Sequence, residues 1–167
     1  MTGRLTEACY ASVKEEYESD QQLLTAYSTE EDTTIAIVRK PGNSSIVTYC
    51  DEHMPELGMP RKPLQLFHEL RAGYQTNSAV SDPHNKAFAD AKLEKEYYEY
   101  IRTSGQAQKA IDEIAQRVRF GENIRLVCYE EDGERCHRHL LLNIIEERIS
   151  SSESKFVFVR DKRKAGQ

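Results

Sequence analysis

The stretch IRLVCYEEDGERCHRHLLLNII, residues 124–145, decides the fold. Ile124-Arg125-Leu126-Val127-Cys128 is short, apolar and partly β-branched, which predicts a buried strand. Glu130, Glu131, Asp132, Gly133 and Glu134 then break the apolar run. From Cys136 to Ile149 the spacing of Leu140, Leu141, Ile144 and Ile145 predicts a helix with one inward face. A strand that passes through a polar loop into a helix is the building unit of a parallel sheet covered by helices.

Working outward, Thr33 to Val38 reads as a second buried strand, ended by Pro41-Gly42-Asn43. A first strand is expected near Ala8–Val13, and an acid-rich loop with a short helical turn over Lys14–Asp32. Ser44–Pro63, with its prolines and glycines, reads as an ordered loop. Pro63 opens a helix carrying Leu64, Phe67 and Leu70, with Gly73 as its stop, and Tyr74–Lys86 reads as a polar loop. A helix follows over Asp90–Ile101. Ser104 caps the next, which carries Ala107, Ile111, Ile114 and Val118, with Gly121 beyond its end. After a turn at Ser150–Ser154, Phe156–Val159 reads as the last strand. The expected architecture is α/β: a three-layer fold with a mostly parallel central sheet flanked by helices, as one domain over residues 1–167.

The 167 residues suffice for a core without staples. No apolar run approaches the ~20 residues of a membrane span. The N-terminal stretch lacks the apolar segment of a signal peptide, so the expected location is the cytoplasm, with no membrane partner. A net charge of -5 excludes a protein that coats nucleic acid with a general basic surface, though not a local basic pocket. The basic end Asp161-Lys162-Arg163-Lys164-Ala165 reads as a solvated terminus. The four cysteines form no CxxC pair, so they are expected as free thiols rather than a disulfide framework.

The informative site is the expected helix start. Cys136, His137 and Arg138 fall in its first turn, where free backbone N–H groups attract anions and favour a thiolate. Arg138 adds a fork suited to a carboxylate or phosphate. Two readings stay open for Cys136, a nucleophile or a packed thiol; Cys128 reads as a core thiol. Glu130 is placed to act as acid or base beside the pocket. The cysteine-phosphatase and rhodanese anion loops wrap their cysteine at a different spacing: Arg138 stands only two residues after Cys136, and no arginine stands six after Cys128. Cys128, Cys136, His137 and His139 lack the short ligand pairs of zinc sites, so no metal is expected. No cofactor can be named.

Cys128, Glu130 and Cys136-His137-Arg138 together resemble the C-terminal signature of domain-of-unknown-function family 488. Val38-Arg39-Lys40-Pro41 is similar to that family's Asp-Val-Arg-x-x-Pro strand end, with Ile37 where the family has its aspartate. Pro55-Glu56-Leu57-Gly58 resembles its Pro-Glu-Leu-Gly loop. His84-Asn85 with Tyr97-Tyr98-x-Tyr100 resembles its archaeal, halophile branch. The resemblance runs from about Ala8 to Val159 and implies an α/β domain with no settled biochemical role. Arg39 is expected at the end of its own strand, as Cys128 is, and two such ends in one parallel sheet face the same side. The expected site is then Cys136, His137 and Glu130 for catalysis, with Arg39, Glu56, Arg138, His84 and Asn85 for binding. The expected partner is an anionic small molecule, a nucleotide or a nucleic acid. The alternative is a non-catalytic module holding a ligand or partner in the same pocket.

Overall fold

The computed structural model describes residues 2–22, 32–40 and 46–162. Its elements run β1 (Leu5–Cys9), α1 (Tyr10–Gln22), β2 (Thr33–Ala36), β3 (Glu52–His53), α2 (Arg61–Gln75), α3 (Pro83–Asp90), α4 (Leu93–Thr103), α5 (Gly105–Arg119), β4 (Ile124–Cys128) and α6 (His137–Lys162). The strands form one sheet in the order β1-β4-β2-β3, with every neighbouring pair parallel. This is the three-layer α/β architecture the sequence predicts.

β4 is central and flanked on both sides, which accounts for its uninterrupted apolar sequence. Ile124, Leu126, Val127 and Cys128 are all buried. Ile37 N–H donates to the Val127 carbonyl at 3.0 Å, which carries the β2–β4 pairing one residue past Ala36. All strands being parallel, Cys9, Ala36, His53 and Cys128 end on one edge of the sheet, where ligands bind in such folds.

The helices close the core around that edge. Ser104 caps α5 as expected, its hydroxyl accepting from Ala107 N–H at 3.2 Å. Ala107, Ala110, Ile111, Ile114, Ala115 and Val118 make its buried face. Tyr97 of α4 is fully buried and donates its hydroxyl to the Leu57 carbonyl at 2.6 Å. This binds α4 to the loop after β3.

Several boundaries differ from the sequence reading. The first strand is Leu5–Cys9, not Ala8–Val13, and α1 occupies the expected loop from Tyr10 to Gln22. Ala, Glu, Lys and Gln dominate α1, and their helix propensity prevails there. Residues 23–31, the rest of that expected loop, lie outside the described residues, as do the 41–45 breaker and the 163–167 tail. The Ser44–Pro63 loop holds short 3₁₀ turns and the two-residue β3. α2 starts at Arg61 and passes Gly73 to Gln75. The expected polar loop at Tyr74–Lys86 gives way to α3 from Pro83, capped by the Asp82 carboxylate on Asn85 N–H at 2.9 Å.

The largest correction is at Phe156–Val159. The backbone there is helical, part of α6, and the turn at Ser150–Ser154 does not form. No glycine or proline interrupts His137–Lys162. Once a helix is nucleated, each further residue adds a hydrogen bond, and the β-preference of Phe-Val-Phe-Val is too weak to stop it.

Candidate functional site

The sharp passage from β4 to α6 brings four side chains together. Cys128 ends the strand, Glu130 begins the loop, Cys136 precedes the helix and His137 opens it. One carboxylate oxygen, Glu130 Oε2, lies 2.8 Å from Cys128 Sγ and 3.1 Å from Cys136 Sγ. His137 Nδ1 lies 3.9 Å from Cys128 Sγ and 3.7 Å from Cys136 Sγ. The backbone N–H of Arg138 points at Cys136 Sγ from 3.4 Å. This is the helix-start donor expected to favour a thiolate.

His137 is oriented from its far side. Its Nε2 is 2.9 Å from the Ile37 carbonyl. A carbonyl only accepts, so Nε2 carries the hydrogen and Nδ1 faces the sulfurs. The ring of Tyr97 closes edge-on against it at 5.2 Å.

The charges follow from these contacts. Burial pushes the Cys136 thiol up, but the hydrogen bond from Cys128 and the His137 imidazolium outweigh it and hold it down at about 6. Burial opposes charge on His137 too, yet the Cys136 thiolate raises it to about 9. Cys128 is held well above the ordinary thiol value, first by burial and then by Cys136 and Glu130. Glu130 is lowered: burial opposes its charge, and His137 with the two thiol hydrogen bonds overcomes that. At neutral pH the cluster is therefore a Cys136 thiolate beside a His137 imidazolium, with Cys128 protonated and Glu130 ionised. The Cys136–Glu130 contact is a hydrogen bond when the thiol keeps its proton and a repulsion once it is lost.

The same four donor atoms lie within 4.8 Å of one another and are the grouping that could hold a metal ion among the described residues. A tetrahedral zinc with bonds of about 2.3 Å to sulfur and 2.0–2.2 Å to oxygen separates those ligands by about 3.5 Å. The sulfur–oxygen separations of 2.8 and 3.1 Å are shorter and match hydrogen bonding, so metal binding is the competing use of these atoms.

Cys128, Glu130 and His137 face a cavity of about 410 Å³. Its wall includes Arg39, Lys40, Arg61, Arg71 and His68, with Tyr129 and Glu134 at the loop side. None of Lys40, Arg61 and Arg71 makes an ion pair among the described residues. Arg39 is pinned: Nε donates to the Met59 carbonyl and Nη2 to the Gly58 carbonyl, both at 3.0 Å, and its guanidinium lies over the Tyr100 ring. Gly58 permits this, since a Cβ there would come within 2.3 Å of Arg39 N.

Other sequence-predicted residues stand behind the loop and not on the cavity wall. Arg138 is 1% exposed, and its Nη1 donates to the Glu130 carbonyl at 2.5 Å while Nη2 is 3.4 Å from the Asp132 carboxylate. His84 Nε2–H donates to the Arg135 carbonyl at 2.9 Å. Its Nδ1 lies 3.3 Å from the Glu134 carboxylate, out of line for a hydrogen bond. Asn85 Oδ1 accepts from Arg135 N–H at 2.7 Å, and its Nδ2 donates to the Gly133 carbonyl at 3.3 Å. Gly133 has φ of 91°, the left-handed conformation that lets the loop turn. Glu56 contributes its carbonyl, which accepts from Tyr100 hydroxyl at 2.6 Å. These four residues hold the site in shape.

The sequence reading missed two things. Cys128 is part of the cluster, although an apolar strand end looks like core. Arg61, His68 and Arg71 recur along one helix, a spacing that could have marked them, but only the position of α2 aims them at the cavity.

A family described as the active DUF488-N3 subclade matches residues 19–149. The chain belongs to the DUF488 family, in agreement with the resemblance read from its motifs. No curated protein and no solved structure matches it.

Proposed function

We propose that this chain is an enzyme that acts on an anionic substrate through the thiolate of Cys136. His137 stabilises the charge, Glu130 exchanges a proton, and Arg39, Lys40, Arg61 and Arg71 hold the substrate's anionic group. The observation that carries this reading is a cavity with a cationic wall that is lined by Cys128, Glu130 and His137, with the Cys136 sulfur directly behind them, 3.1 Å from Glu130 Oε2 and 3.7 Å from His137 Nδ1. A thiolate paired with an imidazolium is the activated form of the nucleophile, and arginine forks suit carboxylate or phosphate. The description of the matched subclade as active agrees. One observation favours the second reading, a binding module: Cys136 is only 3% exposed.

Alkylation separates the two. In water a thiolate reacts more slowly with iodoacetate than with neutral iodoacetamide, because like charges repel. In the cationic cavity the order reverses at Cys136, inorganic phosphate protects it, and Arg61→Ala with Arg71→Ala removes the preference. A Cys136 inert to both reagents, in a protein whose melting temperature phosphate still raises, supports the binding module instead.

A further inference from the structure

We propose that Cys128 is the second thiol of this centre, and that Cys136 and Cys128 together exchange with an anionic disulfide taken into the cationic cavity. This rests on the reading of Cys136 as the resident thiolate. The two sulfurs come from different elements, the end of β4 and the residue before α6, with residues 129–135 between them. They nevertheless lie within 4.8 Å of each other and share one carboxylate oxygen. His84, Asn85 and Arg138 brace the connecting loop from outside, so the approach is built into the fold. His137 Nδ1 is nearly equidistant from both sulfurs and can face the charge on either.

A thiolate that transfers an acyl or phosphoryl group needs no second thiol. Disulfide exchange uses one when the protein itself releases the first adduct, by attack on the mixed disulfide. In the first step the Cys136 thiolate attacks one sulfur of a disulfide RS–SR. A Cys136–SR bond forms, the S–S bond breaks, and the leaving RS⁻ takes the His137 imidazolium proton. In the second, Cys128 passes its proton to Glu130 and its sulfur attacks Cys136. A Cys128–Cys136 disulfide forms, the Cys136–SR bond breaks, and the second RS⁻ takes the proton from Glu130. Two protein thiols are oxidised to one disulfide, and RS–SR is reduced to two RSH. The cations of the wall fit a disulfide that carries carboxylates.

Dithiobis(nitrobenzoate), a dianionic disulfide, is the probe. The reduced full chain is treated at neutral pH, nitrothiobenzoate release is read by absorbance, and the cysteines are mapped by mass spectrometry, which separates Cys9 and Cys50 from the pair. The expected result is release of about two equivalents from the pair, with Cys128 joined to Cys136 and neither labelled. Cys128→Ser stops at about one equivalent, with the label retained on Cys136. A stable label on Cys136 in the wild type, with Cys128 free, overturns the dithiol and leaves the thiolate reading intact. A Cys136 unreactive in both proteins overturns both. Stoichiometric bound metal that masks both thiols until a chelator is added also overturns the exchange.

Discussion

His137 donates from Nε2 to the carbonyl oxygen of Ile37, 2.9 Å away across the β2 end of the sheet. The Ile37 backbone supplies the hydrogen bond that aims the imidazole. The other ring nitrogen is thereby committed to the sulfurs. His137→Gln removes the cation beside Cys136. Alkylation of Cys136 at pH 7 is then expected to slow by roughly tenfold or more, because the thiolate fraction falls. Peptide-resolved mass spectrometry reads this directly. An unchanged rate would mean that the helix-start N–H alone sustains the thiolate.

Arg138 donates to the Glu130 carbonyl in the loop and does not line the cavity. Arg138→Ala leaves the part-buried Glu130 carbonyl without its donor and is expected to cost about 1–3 kcal/mol. For a chain of this size that lowers the melting temperature by roughly 2–12 °C. Phosphate should raise the melting temperature of variant and wild type alike. Loss of the phosphate effect in the variant would show Arg138 to be a ligand-binding residue after all.

Gly58→Ala places a Cβ against the Arg39 backbone, where no room exists. The loop carrying the Gly58 and Met59 carbonyls must shift, and Arg39 loses its two anchors. The expected outcome is a phosphate-induced rise in melting temperature that lies between those of wild type and Arg39→Ala, together with lower basal stability. Wild-type behaviour on both counts would refute the anchoring role.

The paired shifts leave stability nearly blind to pH. His137, raised to about 9, contributes stability below its ordinary 6.5 that is lost as pH rises through about 9. Cys136, lowered to about 6, contributes stability above its ordinary 9.0 that is lost as pH falls through about 6. Between pH 6.5 and 9 one contribution declines as the other grows, since folded and unfolded chains bind nearly the same number of protons. Of the groups facing the pair, Cys128 and Tyr97 are held up and Glu130 is held down, so in the folded chain none of these three titrates inside that window. Denaturant midpoints in the wild type and in Cys136→Ser/His137→Gln should differ by an amount that is constant over this range. A difference that changes steeply with pH would contradict the pairing.

Much of this was legible in the sequence because local pattern and tertiary demand agree. The apolar run of β4, the Ser104 cap and the polar loop before Cys136 each point the same way at both levels. Phe156–Val159 failed because alternating apolar and β-branched residues state a preference, while helix propagation from His137 depends on the absence of breakers. Cys128 was read as a core thiol because strand-end burial and cluster membership look alike in one dimension. His84, Asn85 and Arg138 were read as binding residues, yet which side of the loop each occupies depends on α3 and the carbonyls of residues 130–135. No spacing rule encodes that.

The central claim is that Cys136 is a thiolate at neutral pH, and its alkylation rate as a function of pH tests it most directly. With neutral iodoacetamide and peptide mapping, the rate at Cys136 should reach half its plateau near pH 6 and stay flat through neutrality. A rate that is low at pH 7 and climbs through about 8.5, as for an ordinary thiol, would contradict the account.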